Sequence, residues 1–139
     1  MRTNWNKLLI AFVAVYVVGQ ILGYLIHGVW LAPTYQSLAS VWRPEADMQS
    51  KMWIMFVTGA FWSFFFCYVF SRGYEGMGLV EGARYGAISG LFFGISQSYD
   101  SYVIYPIPYS LALKWFLSGL AYCVVLGIVA AAVYKPAKA

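Results

Sequence analysis

Charged side chains are scarce in this sequence, and so are the residues on which most enzymes depend. Only 10% of the 139 residues are charged, with one histidine and five acidic residues, whereas an ordinary soluble domain is about 25% charged. The sequence has no nucleophile elbow, no HExxH motif and no phosphate-binding Gly-rich loop. We therefore expect a protein that is not an enzyme and that has no protein-only metal site.

Cysteine is also rare. The two cysteines, Cys67 and Cys123, both lie in apolar stretches, and neither belongs to a CxxC pair. Our helix assignment places them at different depths, near the end of one helix and the middle of another. A disulfide needs Cα atoms within about 7 Å, so we expect two buried free thiols.

Apolar and aromatic residues are abundant instead. The chain is 62% hydrophobic and 20% aromatic, with a mean hydropathy of +0.68, which a soluble fold of this length could not bury. Tyr and Trp favour the membrane–water boundary. The net charge of +4 fits membrane orientation and anionic lipid headgroups better than nucleic acid. We expect membrane lipid as the surroundings and no nucleic-acid partner.

Four apolar stretches are long enough to cross a bilayer, which takes about 20 residues per helix. They predict an all-α fold, an integral membrane four-helix bundle in one transmembrane domain, 1–139. The first stretch is too long for the apolar part of a signal peptide, so we expect an uncleaved helix. Pro44, Glu45 and Asp47 suit the start of the second helix, and Ser110 is the expected N-cap of the fourth. The predicted helices span about 8–31, 44–71, 79–100 and 110–134.

The distribution of basic residues predicts that both ends are cytoplasmic (N-in/C-in), because Lys and Arg accumulate on that side. The larger group of basic residues, on the predicted cytoplasmic side, is Arg2, Lys7, Arg72, Arg84, Lys135 and Lys138. The opposite, predicted outer side has Arg43, Lys51 and Lys114.

Glycines recur every fourth residue on the third predicted helix, and the first helix has a shorter row in the same spacing. Residues four apart share one helix face, and small residues there allow another helix to approach closely in lipid. We expect these rows to mediate packing, either inside the monomer or between subunits, with the first helix as a candidate partner. The residues are Gly82, Gly86, Gly90 and Gly94 on the third helix, and Gly19 and Gly23 on the first.

His27, the only histidine, continues the register of Gly19 and Gly23. Ionisable residues within membrane spans are functional candidates. One interpretation is an interfacial histidine bonded to a backbone carbonyl or to water. The alternative is a functional histidine, either in a proton relay or as the axial ligand of a haem or chlorin. Otherwise no cofactor is expected.

Polar residues gather on the predicted outer side, where they form either a structural clamp or a ligand site. Within this group we expect Asp100 and Lys114 to form an ion pair. On the inner side Glu81 and Arg84, three apart on one helix, are an expected charge pair. The outer group is His27, Arg43, Glu45, Asp47, Gln97, Asp100 and Lys114.

The stretches HGVWLAPTYQSLASVWRPEADMQSKMW (His27–Trp53) and YPIPYSLALKWF (Tyr105–Phe116) resemble small four-helix bacterial inner-membrane proteins that have no assigned activity. There is also a looser similarity to the DUF1761 group of short membrane proteins. The resemblance implies a helical bundle in a bacterial inner membrane. It implies no substrate and no functional residues.

Three functions remain open. The first is a structural or accessory subunit that packs through its glycine-lined helix faces, in a homo-oligomer or a larger membrane complex. The second is a small oligomeric transporter or channel, although few polar groups lie at the helix centres. The third is a cofactor-bearing membrane subunit that uses His27 as an axial ligand. An enzyme acting on lipid is a more distant fourth. Our expectation from the sequence is the first.

Overall fold

The computed structural model describes residues 3–136 and confirms the predicted all-α class. In this part of the chain there are five α-helices and no strand. α1 continues directly into a π-helical segment, Tyr24–Trp30, and α2 is followed by a short 3₁₀ turn, Ala39–Val41. Arg2 and Lys138, two of the bases used to predict orientation, lie outside the described residues. The helices are α1 (Trp5–Gly23), α2 (Ala32–Ser37), α3 (Glu45–Arg72), α4 (Leu79–Ile104) and α5 (Tyr109–Val133).

The helix boundaries differ from the prediction at two places. The six-residue α2 lies in a segment that was expected to be a connection, so the predicted count of four helices is not confirmed. Ser110 is not an N-cap, because α5 begins at Tyr109 directly after Pro108. α4 continues to Ile104, and Tyr105 is extended, as expected for a residue that precedes a proline.

The four long helices run alternately up and down. Both described chain ends lie at one end of the bundle, where the Asn4 backbone N–H donates to Tyr134 Oη at 3.3 Å. We call this the terminal end; it also holds the loop between α3 and α4. The opposite end holds α2 and the turn between α4 and α5, and we call it the α2 end. α1 packs against both α3 and α5, and α5 packs against α4.

Three helical segments are long and apolar enough to cross a membrane: Trp5–Trp30, Glu45–Arg72 and Tyr109–Val133. The chain therefore has the character of a membrane protein. α4 has 26 residues, which is sufficient length at 1.5 Å per residue. Its glycines, serines and ionisable side chains make it less apolar than the other three helices, and its role as a fourth span stays a prediction.

The glycine row on α4 packs inside the monomer, against α5. A Cβ atom added at Gly82 would collide with the carbonyl oxygen of Gly127, and one added at Gly86 would collide with the carbonyl of Cys123. α5, and not the candidate partner α1, therefore packs on this row. Gly19 instead faces the Tyr122 hydroxyl on α5, and a Cβ at Gly23 would meet nothing within 4 Å.

The loop before α4 is held by a buried carboxylate. Glu81 is only 3% exposed, and its two oxygens accept the backbone N–H groups of Glu75 (2.7 Å) and Met77 (2.9 Å). Arg84 forms its ion pair with Glu75. The predicted Glu81–Arg84 pair is therefore wrong. The loop places backbone N–H donors next to Glu81. The pairing rule for residues three apart considers only side chains on one helix, so it does not predict these hydrogen bonds.

Candidate functional site

A cavity of about 990 Å³ lies toward the α2 end of the bundle. Its size is at the upper end of the range of about 300–1,000 Å³ that is typical of small-molecule sites. All four long helices contribute to its wall, together with α2 and the segment that follows it. The lining residues include Gly23 and His27, Tyr35 and Trp42, Trp62, Phe93 and Gln97, and Trp115 and Gly119.

The cavity forms because α3 and α4 are in contact near the terminal end and diverge from there. At their contact the Tyr85 hydroxyl donates to the carbonyl oxygen of Phe66 at 2.7 Å, and its ring packs against Phe66 and Phe70. Toward the α2 end, every α3 residue from 48 to 58 is exposed. Trp62 is the only described α3 residue that lines the cavity.

Tyr35 on α2 connects the polar groups at the α2 end of the cavity. Its hydroxyl lies 2.6 Å from His27 Nδ1 and accepts the Trp115 Nε1–H at 2.7 Å. Its backbone carbonyl accepts the Trp42 Nε1–H at 3.2 Å. Burial raises the pKa of Tyr35 above its usual value, although the hydrogen bond from Trp115 lowers it in part. The phenol therefore stays neutral over the physiological pH range.

The local fold explains how residues 27 and 35 meet. The π-helical segment ends at Trp30, and the backbone N–H of the next residue, Leu31, bonds to the carbonyl of Ile26 at 2.8 Å. The next helix, α2, begins at Ala32 with a proline in its first turn. Leu31 is fully buried with Ile107 and Leu111, which fixes this corner of the chain against the start of α5. π-Helical turns are rare and often occur at functional sites.

Two glycines keep the cavity open. Gly23 on α1 and Gly119 on α5 both line it, and a Cβ added at either would have no neighbour within 4 Å. Both have helical backbones, so neither position requires glycine for its conformation. The empty space beside them is available to a ligand.

Only part of the predicted outer polar group is brought together. His27, Arg43 and Gln97 line the cavity. Asp47 lies beside it in ion pairs with Arg43 (3.0 Å) and Lys51. Two further members do not line the cavity: Glu45 accepts Gln49 Nε2–H at 3.0 Å, and Asp100 lines an adjoining recess of about 420 Å³ on α4, which shares Phe93, Gln97 and Ser101 with the cavity.

The expected ion pair between Asp100 and Lys114 is absent. The Lys114 ammonium lies 5.8 Å from the centre of the Trp30 ring, within the range of a cation–π interaction. Both residues were placed correctly near helix ends. Their side chains lie on different surfaces of the α4–α5 hairpin. The position of a residue along its helix does not show which surface its side chain occupies.

Sequence reasoning missed the aromatic members of the site. Tyr35, Trp42 and Trp115 contact one another with ring centres 5.8–6.5 Å apart. The available signal was the concentration of Tyr and Trp beside the helix ends. We had interpreted it as a membrane-boundary preference alone.

The described cysteines and acidic residues form no metal site. In residues 3–136, no group of three or more His, Cys, Asp or Glu side chains is arranged to hold a metal ion. Cys67 and Cys123 are both free and buried. Cys67 belongs to the core at the terminal end, whereas Cys123 lines the cavity.

No family model, curated protein or solved structure matches this chain. The site must therefore be interpreted from its own geometry.

Proposed function

We propose that this protein crosses a bacterial inner membrane four times, with both termini in the cytoplasm, and that it binds an amphipathic, lipid-like molecule. α4 supports the four-span arrangement because it packs along α5, an apolar helix of almost the same length. The basic residues near the terminal end support the orientation.

The observation on which the binding proposal depends is the cavity. The part of its wall toward the terminal end is apolar and aromatic, with Trp62, Gly90 and Tyr122, and polar side chains such as Gln97, Ser98 and Ser101 concentrate toward the α2 end. This combination suits a ligand with one polar end and an apolar body. The cavity lies where α3 and α4 diverge, and an opening between two membrane helices would admit a molecule from the lipid.

Photolabelling of the detergent-purified chain tests this function. Two probes are used: hexadecanoic acid and the matching alcohol, each with a diazirine on its alkyl chain. Labelled residues are then mapped by mass spectrometry. We expect at least one probe to label cavity residues such as Trp62 and Tyr122. Labelling confined to the lipid-exposed faces, with either probe, would overturn the proposal.

A cavity-filling variant gives the matched control. Gly119→Leu introduces a side chain into open space in the cavity and should abolish the internal labelling. Ala121→Leu, two residues further on the exposed face of α5, adds a similar side chain outside the cavity and should leave the labelling unchanged. Equal labelling of the two variants would contradict the assignment.

A structural or accessory subunit is the second candidate, and the exposed half of α3 favours it. Residues 48–58 include exposed Met52, Trp53 and Phe56, a surface that either lipid or a partner subunit would cover. The α4 glycines no longer support a subunit interface, because α5 occupies that face. The subunit composition of the gently solubilised particle tests this candidate. A haem or chlorin on His27 stays a prediction that one visible absorption spectrum would test.

A further inference from the structure

The hydrogen-bonding groups of the cavity define the chemistry of its ligand; this step rests on the proposed function. Among the lining residues Arg43 is the only one with a permanent charge, and none is Asp or Glu. The indole N–H groups of Trp42 and Trp115 are already bonded to Tyr35. Arg43 is therefore the strongest donor available to a ligand, and His27 lies with it at the α2 end.

The protonation of His27 follows from its contact with Tyr35. The Tyr35 oxygen already accepts the Trp115 N–H, and its own proton needs an acceptor. The nearest one is His27 Nδ1, at 2.6 Å. A neutral imidazole that accepts at Nδ1 has its proton on Nε2. No described residue bonds to Nε2, so His27 offers an N–H donor at the cavity.

Arg43 also has donors to spare. Its Nη1 bonds to Asp47, which is shared with Lys51. One carboxylate thus lies between two cations, and this group of three keeps a net positive charge. A guanidinium has five N–H donors, so the pair with Asp47 does not exhaust it. Arg43 suits recognition of carboxylate or phosphate oxygens.

We propose that the ligand is an anionic amphiphile, whose carboxylate or phosphate head accepts hydrogen bonds from Arg43 and His27 Nε2–H while its chain lies between α3 and α4. The head lies beside Tyr35 at the α2 end, and the chain lies along Phe93, Gly119 and Trp62. A neutral amphiphile of equal length fits the same space but gives no charge-assisted hydrogen bond.

The two photolabelling probes separate this inference from the proposed function. They differ only in their head group, and the comparison is made at a pH where the acid is ionised. We expect the acid to label the cavity at about tenfold lower concentration than the alcohol, as one charge-assisted hydrogen bond implies. Equal labelling by acid and alcohol that Gly119→Leu still abolishes would overturn the head-group inference and leave the proposed function intact. Absence of internal labelling would overturn both.

Variants of the two donors sharpen the test. Arg43→Gln should remove most of the preference for the acid, and Arg43→Lys should keep part of it. Lys51→Gln is the matched control, because it removes a positive charge from the same ion-paired group although its side chain does not line the cavity; it should reduce the preference for the acid less than Arg43→Gln does. His27→Gln keeps an N–H donor and should retain more of the preference than His27→Met. An unchanged preference in Arg43→Gln would contradict the assignment.

Competition distinguishes the two sources of an anionic head. Unlabelled hexadecanoic acid and dipalmitoyl phosphatidic acid are each added against the photoactivatable acid. Displacement by the fatty acid alone identifies a single-chain carboxylate, and stronger displacement by phosphatidic acid identifies a membrane phospholipid with a phosphate head. Displacement by dipalmitoylglycerol at the same concentration as either anion would contradict anionic recognition.

Discussion

Glycine lines both the contact between α4 and α5 and the cavity toward the α2 end, with opposite consequences. At Gly82 and Gly86 the facing helix backbone occupies the space that a side chain would need. At Gly23 and Gly119 that space is empty. The same residue type thus brings two helices together in one region and preserves a void in the other. The difference depends on which atoms face each glycine. The spacing of the glycines along the sequence does not show which atoms these are.

The largest effect that distinguishes the two regions is expected from Gly86→Ala. The new Cβ would lie 2.7 Å from the carbonyl carbon of Cys123 and the Cα of Val124, so α4 and α5 would have to separate. We expect a loss of about 3 kcal/mol in the free energy of unfolding, as for severe overpacking. Denaturant unfolding in detergent measures it.

Gly119→Ala is the control, because its Cβ meets no atom within 4 Å. Its unfolding free energy should stay at the parent value or rise by up to about 1 kcal/mol, because alanine favours a helix more than glycine does. Equal losses in Gly86→Ala and Gly119→Ala would show that the two glycine environments do not differ as described.

An intermediate effect is expected from Glu81→Gln, at the terminal end. The carboxylate accepts one backbone N–H with each oxygen. An amide has only one acceptor oxygen, so its NH₂ group would face a backbone donor. We expect a loss of about 2 kcal/mol, since one buried donor is left without a partner. The measurement is again the free energy of unfolding.

Glu75→Gln supplies the comparison for Glu81. Glu75 pairs with Arg84 through side chains that are 53% and 50% exposed, and exposed pairs contribute only about 0–1 kcal/mol. A larger loss in Glu75→Gln than in Glu81→Gln would mean that the surface pair, rather than the buried carboxylate, holds the loop.

The prediction from sequence succeeded where long apolar runs decide the structure and failed where side chains meet across helices. The four long helices follow from their composition. The α2 helix did not, because six residues give too little periodic signal. The partner of the α4 glycines was present in the sequence: Cys123, Gly127 and Ala131 recur every fourth residue on α5. Applying the small-residue rule to α5 as well would have identified it.

The candidate site was less predictable than the helices. His27, Arg43 and Gln97 were identified as polar residues near one side of the membrane. Their connection through Tyr35 depends on the turn at Leu31, which brings α2 back over the end of α1. No spacing rule relates residues 27 and 35, because their contact depends on a turn between two helices. The predicted glycine row, in contrast, needed only the regular geometry of one helix.

The smallest effect is expected from Tyr35→Phe. It tests whether the Tyr35 hydroxyl holds the α2 end of the cavity together, as the Glu81 carboxylate holds the loop before α4. Tyr35→Phe removes one acceptor and one donor, and we expect a loss of about 1 kcal/mol. Burial raises the pKa of Tyr35 in the folded state, so its neutral form is favoured by folding. This stabilisation is fully present below the unfolded-state value of about 10 and is lost as pH rises through the higher folded-state value. The difference in unfolding free energy between the parent and Tyr35→Phe should therefore shrink above about pH 10. A difference that is independent of pH would mean that folding does not raise the pKa of Tyr35 and that its hydroxyl is not shielded from solvent.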